Sequence, residues 1–526
     1  VIKLRLLLEN KETFVLNYLS RLLKGSPFEN HVLLAGGAIR DQVMGKPVKD
    51  IDIVVTMQDG GITFAEWICK KTGAYKKDVN PLIFPRFGTA KFNLRGVKVD
   101  GLDLSDIDIE AVMTRGEKYT AGSRKPDVVY ADLKTDAERR DLTINAMYKD
   151  LTTGKILDPT GLGMQDIKDH VIRTPLDPDI TFEDDPLRML RVIRFAVRYN
   201  WKIPTYIVDS LKKNAGMLKN ISMERIQDEF NKMLLSDRPA EAVKLLTYTG
   251  LATYFLPEII ATIGVGQNQY HKDDVFSHTM EVLSNTPPDL VVRLSAIFHD
   301  IAKPAVKTED ETGIHFYKHE DVGAEMAANI MKRMKYSTEQ IQSVVNIVAN
   351  HMRLKSAGPN GDQVSDKALR KFAAHMGNDL DPAFKLMHAD NISHAEGASM
   401  PNQIPAMADR IKNITMVIPA KPKLPVNGND IMTAFNMKPG PEIKKILAAV
   451  EDAWYENPEM TRDQAMQIAA SAVNEPTMTS GHANDLLNQK IRNPVTNHDI
   501  LIKTALQYDH DHPVRKAAED FIKRNQ

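Results

Sequence analysis

The stretch HVLLAGGAIRDQVMGKPVKDIDIVV (residues 31–55) decides how the rest of the chain is read. Its first half runs from an apolar strand through a glycine pair into a helix, and KDIDIVV is a short strand rich in β-branched residues. Side chains alternate along an extended segment, so Asp50 and Asp52 point to the same side. Two anions held this close need a cation. Mg²⁺ takes oxygen ligands and commonly bridges carboxylates to substrate phosphates, which makes the pair a candidate catalytic metal site. Gly36 and Gly37 permit a close backbone approach, the helix starting near Ala38 aims free N–H groups at an anion, and Arg40 adds a charge. A lone DxD is more often a solvated strand end, and a glycine pair more often a plain tight turn. Their succession within about ten residues reads instead as a triphosphate cradle beside a metal site.

Working outward, 526 residues make three or four domains the starting expectation. Lysine plus arginine number 68 against 69 acids, a net charge of -1, which excludes a polybasic coat. Nucleic-acid binding then requires basic groups gathered locally. Cys69 is the only cysteine, so no internal disulfide can form and a reducing, cytoplasmic setting is expected. The opening VIKLRLLLENKETFVLNYLSRLL carries charges at helical spacing and reads as an amphipathic helix, not a signal peptide. No window offers the roughly 18 apolar residues of a membrane span, so a soluble protein without a membrane partner is expected. Strands alternate with turns to about residue 130, and from RRDLTINAM onward the pattern is helical. Proline- and glycine-rich loops at NTPPDL, SAGPNGDQ and PAKPKLPVNGND punctuate the helical body, the last marking a boundary near residue 420.

Five further segments follow the AGGAIRD and DID motifs: RRDLTINAM (139–147), DPTGLGMQDI (158–167), DDPLRMLRVIRFA (184–196) and ERIQDE (224–229), with DIDIEAV (106–112) between. In this order the chain resembles the class II tRNA nucleotidyltransferases, the CCA-adding enzymes, and the related bacterial poly(A) polymerases, most strongly over residues 30–235. The resemblance implies an α/β, polymerase-β-like nucleotidyltransferase head followed by a mainly α-helical neck, body and tail. Its expected division is a head over 1–150, neck and proximal body with nucleotide-base recognition over 151–265, an HD-type helical domain over 266–420, and a helical, tRNA-binding tail over 421–526. It assigns catalytic Mg²⁺ to Asp50 and Asp52, and the triphosphate to the Gly36–Gly37 turn with Arg40. Glu110 is a candidate third carboxylate or base, with Asp108 competing. Arg139, Arg140, Asp141 and Asn145 match a ribose-reading and phosphate-binding segment, and Arg191 joins the nucleotide-binding set. KKDVNPLIFPRFGTAKF (76–92) includes or borders a mobile head loop, and 424–454, with Lys438, Lys444 and Lys445, resembles a region that holds the elbow of tRNA.

Asp185 and Arg188 are three apart in a helical pattern and so share a face. Cytosine and adenine both show an exocyclic amine beside an unprotonated ring nitrogen; a carboxylate accepts from the first and a guanidinium donates to the second. Uracil and guanine put a carbonyl where the amine should be. The plainer reading of any DxxR is an intrahelical ion pair. Many bacterial members read Glu-Asp-x-x-Arg here, whereas this chain reads Asp184-Asp185-Pro186-Leu187-Arg188. Glu224, Arg225 and Glu229 are expected to brace this helix.

A second constellation lies in the body. His278 in FSHTMEV, the adjacent His299 and Asp300 in AIFHDIAKP, and Asp390 in LMHADN resemble an HD-domain metal site, with His319 and His351 as auxiliary positions. Nitrogen and carboxylate donors suit Ni²⁺, Mn²⁺, Fe or Mg²⁺, and a phosphohydrolase activity is implied. The leading expectation is template-independent addition or repair of the 3′-terminal CCA of tRNA from CTP and ATP. The alternatives are a poly(A) or partial CC- or A-adding polymerase, or an HD phosphohydrolase with an RNA-binding head. Oligomeric state and the segment through HPVRKAAEDFIKRNQ have no reading.

Overall fold

The apolar run Val32–Ala35 (β1) is buried along its whole length, whereas Ile51–Val55 (β2) exposes only Asp52, as expected for strands inside a covered sheet. The computed structural model describes residues 11–118, 127–267, 273–395, 397–414 and 423–474, with 490–492, 499–501, 516 and 518–520. The first ten residues of the opening segment and nearly all of the final one lie outside them. Helix α1 (Lys11–Leu23) buries Val15, Leu19 and Leu23, one stripe at four-residue spacing. Strand β1 leads through Gly36, at φ 66°, into α2 (Gly37–Val43). Strands β3 (Leu82–Phe84), β4 (Thr89–Asn93), β5 (Asp108–Met113), β6 (Tyr148–Asp150) and β7 (Ile156–Leu157) complete a seven-stranded sheet in the order β7-β6-β1-β2-β5-β4-β3. Only β2 and β5 run parallel, and their register sets Asp52 opposite Glu110.

Helix α3 (Gly60–Thr72) covers one face, burying Phe64, Ala65, Ile68 and Cys69. A methyl group on Gly61 would stand 2.7 Å from the carbonyl oxygens of Ala111 and Gly88, so only glycine lets this helix reach the sheet. On the other face Leu33, Ala35, Val54, Ala137, Ala146 and Tyr148 form a cluster that seats α4 (Leu133–Glu138). The helical pattern expected from RRDLTINAM onward gives way here: Thr143–Asn145 is one 3₁₀ turn, and the chain returns to the sheet as β6 and β7 before the helices begin. The apolar Ala146, Met147 and Tyr148 are wholly buried; Tyr148 pairs with Ala35 of β1, the Met147 carbonyl accepts from the Gly36 N–H, and the Ala146 N–H donates to the Thr143 carbonyl.

Helices α5 (Gly163–Asp169), α6 (Pro178–Asp184) and α7 (Leu187–Tyr199) follow. Helix α7 is buried nearly all round, and packs against α6, α9 (Met223–Leu234) and α10 (Pro239–Tyr248), with α8 (Thr205–Asn214) nearby in sequence. The body continues as α11 (Val275–Ser284), α12 (Leu290–Phe298), α13 (His319–Arg333), α14 (Thr338–Asn350), α15 (Asp366–Met376), α16 (Leu380–Ile392) and α17 (Gln403–Ile414), and ends in α18 (Gly428–Phe435), α19 (Pro441–Glu456) and α20 (Arg462–Asn474). The α/β head followed by a mainly helical region is therefore the architecture.

The chain forms two compact units, Val1–Val364 with Met376–Asn413, and Ser365–His375 with Ile414–Gln526. The core of the second unit gathers Val426, Ile431, Ile443, Ile446, Val450 and Trp454. Helix α15, from within the third expected domain, packs into it: Arg370 donates to the Tyr455 carbonyl and Lys367 to Glu456, both at 2.9 Å. Lys438, Lys444 and Lys445 are exposed there. Among the described residues no helix is long and apolar enough to cross a membrane.

Candidate active site

Strand alternation puts Asp52 on the side of β2 away from buried Ile51 and Ile53, and Glu110 on the matching side of β5 between buried Ile109 and Ala111. The two face each other across adjacent strands, whose axes run roughly 4.8 Å apart. Asp52 is held above the usual carboxylate range by partial burial and by the charges of Glu110 and Asp50, against which Arg140 pulls downward. Three carboxylates crowded in this way are a hard-oxygen donor set that a divalent cation would relieve. Asp50 stands just before β2 and is exposed. Asp108 is paired with Lys91 at 2.9 Å, so Glu110 is the acid of β5 that reaches the cleft.

That cleft, about 420 Å³, is lined by Asp52 and Glu110 and by Arg115, Arg139, Arg140, Asp141, Asp185, Arg188, Arg191 and Arg225. Six arginines against four acids give it a cationic balance, with Asp52 and Glu110 together on neighbouring strands. The arginines are aimed by buried acids. Asp136, 0% exposed, accepts from Arg139 at 2.7 Å, Arg140 at 3.3 Å and the Tyr148 hydroxyl at 2.6 Å. Burial pushes Asp136 up, but Arg140 and Arg139 overcome it and hold the carboxyl below its usual range. Asp141 likewise accepts from Arg191 at 2.6 Å and from Asn145 at 3.1 Å. Arg194 and Arg191 pair with buried Glu229, at 2.6 and 3.5 Å. Asp136 escaped the sequence reading, although its i,i+3 and i,i+4 spacing to Arg139 and Arg140 was there to be seen.

Two expectations need correction. Arg40 does not stand open to a phosphate. It is 5% exposed, donates to Asn145 at 2.6 Å and Asp41 at 2.9 Å, and lies 5.2 and 5.3 Å from the Phe195 and Tyr199 rings. The apolar face of α7 captures it, so it braces the glycine turn. Gly36 itself lies against Arg140, where an added methyl would meet the guanidinium at 3.1 Å. Asp185 and Arg188 do not sit on one continuous helix either. Pro186 lacks an N–H and disfavours helical backbone at Asp185, so α6 ends at Asp184, Asp185 is extended at φ −148°, and α7 starts at Leu187.

Both side chains nevertheless line the cleft. Asp185 accepts from the Leu187 N–H at 3.1 Å and from Arg225 at 2.8 Å. Arg188 donates to the carbonyls of Thr181 and Arg139, at 3.1 and 2.7 Å, and pairs with Asp184 at 3.6 Å. The partner expected for Arg188 in a DxxR ion pair is thus replaced by the preceding acid.

The histidine constellation converges as well. Nε2 of His278 lies 3.0 Å from Asp390, and Nε2 of His299 and His319 lie 3.2 and 3.4 Å from Asp300. His299, His319 and His351 each donate Nδ1–H to a backbone carbonyl, of Ala296, Phe316 and Val348, at 2.7, 2.8 and 2.7 Å. A carbonyl cannot donate, so in each neutral ring Nδ1 carries the proton and the buried Nε2 atom turns inward, toward Asp300 in His299 and His319. Donor atoms of His278, His299 and Asp300, and of Asp300, His319 and His351, fall within 4.8 Å of one another. Lys303 lies 2.7 Å from Asp300, and Lys355 3.1 Å from Asp390. Burial opposes ionisation of both acids, but His299 and Lys303 around one, and Lys355 and His278 around the other, hold them well below the usual range. His394, four residues after Asp390, stacks edge-on to His278 at 5.5 Å and was not foreseen.

A polymerase-β-like sheet with a carboxylate cluster beside a glycine turn, opening into an arginine-lined cleft, defines a nucleotidyltransferase head. Comparison with known proteins carries this further. Residues 32–173 match the family model "Poly A polymerase head domain", 202–262 "Probable RNA and SrmB- binding site of polymerase A", and 306–466 tRNA nucleotidyltransferase domain 2. The chain is 31% identical to the multifunctional CCA protein of Pseudomonas fluorescens over 58% of this chain and 70% of that one. It is 36% identical to the mitochondrial CCA tRNA nucleotidyltransferase of Saccharomyces cerevisiae, over 40% of each. The fold is similar to that of the Bacillus stearothermophilus CCA-adding enzyme solved with CTP, at TM-score 0.58 and 21% identity, covering 85% of this chain and 95% of that one. The chain belongs to the class II tRNA nucleotidyltransferase family, the CCA-adding enzymes and their poly(A) polymerase relatives.

Proposed function

We propose that this protein completes or repairs the 3′-terminal CCA of tRNA, taking CTP and ATP and releasing pyrophosphate without a nucleic-acid template. One observation carries the reading: a single cleft holds Asp52 and Glu110 together with Asp185 and Arg188. Asp50, Asp52 and Glu110 would hold Mg²⁺. When bound, the metal supplies Lewis acidity toward the primer hydroxyl and the departing pyrophosphate. Arg139, Arg140 and Arg191 face the triphosphate, their directions fixed by Asp136 and Asp141. Asn145 and Asp141 support the ribose-reading segment. Asp185 accepts from the exocyclic amine of cytosine or adenine and Arg188 donates to the ring nitrogen. Arg188 has five N–H groups; the carbonyls of Thr181 and Arg139 take two and Asp184 lies against Nη1, which leaves others for the base. A mismatched base strands a donor or acceptor at about 1–3 kcal/mol each, so two mismatches discriminate by about thirtyfold or more.

Transcripts lacking A, CA or CCA, each supplied with one or both nucleoside triphosphates, test the proposal. CMP should enter the two longer gaps and AMP only after the cytidines. Indifference to CTP would point to a poly(A) or A-adding enzyme instead.

The inward-facing imidazoles favour a second activity in the same chain, an HD-type phosphohydrolase. His278, His299, Asp300 and Asp390 would hold a divalent metal such as Ni²⁺ or Mn²⁺, with His319 and His351 at an adjoining position. A metal held there would supply Lewis acidity toward a hydrolytic water. Lys303 and Lys355 meanwhile keep the acids ionised. The second unit, with Lys438, Lys444 and Lys445 exposed, is the part of the chain we assign to tRNA. These roles predict a chain that acts inside the cell on RNA ends and has no membrane partner.

A further inference from the structure

The edge of the sheet formed by β3 carries a surface that the cleft chemistry leaves unused. Between residues 70 and 87 five lysines and arginines accompany one acid, in a chain whose net charge is -1. Three rings stand out among them: Tyr75 is 41% exposed, Phe84 46% and Phe87 46%. All three residues of the edge strand β3 are exposed. An isolated exposed ring needs no explanation, but three within thirteen residues, interleaved with exposed Lys76, Lys77 and Arg86, form a pattern. Rings that stack bases beside cations that follow phosphates are how proteins hold single-stranded nucleic acid.

Strand addition by another protein fits this edge poorly. Strand β3 is three residues long and bracketed by Pro81 and Pro85, which have no N–H to donate. Its place in the sheet points toward RNA. It pairs with β4, and β4 with β5, so it lies two strand spacings, roughly 10 Å, from the strand that carries Glu110. Arg115, a wall of the cleft, donates to the Phe87 carbonyl at 3.4 Å.

We infer that Tyr75, Phe84 and Phe87, with Lys76, Lys77 and Arg86, form a stacking platform for the single-stranded 3′ tail of the RNA primer beside the cleft. The inference rests on the transfer reading above, and its test separates the two. Binding by the full chain would be measured to a tRNA transcript ending in its unpaired tail, and to the same transcript with that tail annealed to a complementary oligonucleotide. The variant F84A/F87A should lose at least about tenfold in affinity for the unpaired tail and keep its affinity for the annealed form and its KM for CTP. F84W/F87W should bind like the native chain, which separates lost stacking from a damaged fold. K76E/K77E should flatten the salt dependence of binding. Equal affinity of F84A/F87A and native protein for the unpaired tail would overturn the platform. So would a dimer that F84A/F87A dissociates while RNA binding persists, since the face would then belong to a second copy. If the rings bind the tail but the native chain incorporates nothing, the platform stands and the transfer reading falls; incorporation indifferent to the rings gives the reverse.

Discussion

Asp136 shows how a single buried charge shapes the site without touching substrate. Its carboxylate accepts from Arg139, Arg140, Tyr148 and the Arg115 backbone N–H, so three arginines of the cleft wall and a buried tyrosine refer to one side chain. Removing one partner of a buried ion pair leaves the other charge uncompensated, at about 3–5 kcal/mol. Asp136→Ala should therefore destabilise the head by roughly that amount at pH 7 and weaken CTP binding. Because its folded pKa lies below the unfolded value, its stabilisation is present above the ordinary carboxylate range and fades as pH falls through the depressed value. Denaturant titration at pH 7 and below pH 3 should show the gap between native and variant closing in acid; a gap independent of pH would mean that charge is not what Asp136 contributes. At this scale the sequence is only half legible. Asp52 follows from strand alternation and Glu110 from the order of motifs, whereas Asp50 stands outside the strand and Asp136 is left unread despite its helical spacing to Arg139 and Arg140. Arg40 reads as a phosphate ligand because nothing local reveals that α7, some 150 residues later, will supply the Phe195 and Tyr199 rings that enclose it. Lys355 beside Asp390 is equally silent in sequence.

Elements decide which of those side chains meet. The approach of α3 to the sheet depends on Gly61, where a methyl would lie 2.7 Å from two carbonyl oxygens and from the Val112 Cα. Backbone cannot yield as a side chain can, so Gly61→Ala should cost about 1–3 kcal/mol or more and lower incorporation by shifting β5, which carries Glu110. Unchanged thermal stability and rate would show that helix and sheet have slack between them. The break at Pro186 works in the opposite direction. DDPLRMLRVIRFA suggests one helical face, yet the proline stops α6 and starts α7, and Asp185 meets the cleft from extended backbone. The proline was in view; its consequence was not, because a periodicity argument treats the motif as continuous. Likewise the return of Tyr148–Asp150 to the sheet comes from pairing with β1 more than a hundred residues earlier, which no local pattern announces.

At the scale of the whole molecule, two constellations of different donor chemistry occupy one chain: oxygens in the head, imidazoles with carboxylates in the body. They should be separable. Ni²⁺ or Mn²⁺ added at a hundred times its Kd should stabilise the native chain by about 2.7 kcal/mol, and H299A/D300A should abolish that gain in a thermal-shift titration while leaving CMP incorporation intact. Equal gains in both proteins would place the metal elsewhere. The order of motifs along the chain made this organisation readable, whereas the assignment of α15 to the second unit was not, since it follows from contacts with α19 that lie 85 and 89 residues away.

The most direct measurement of the central claim is CMP incorporation into a tRNA transcript ending at the position before CCA, in Mg²⁺, by native protein and Asp52→Asn. Loss of one ligand of a metal that stabilises the transition state by several kcal/mol should slow the variant about a thousandfold, with the fold and CTP binding retained. A variant that extends the transcript at the native rate, or a native chain inert toward CTP, would contradict the account.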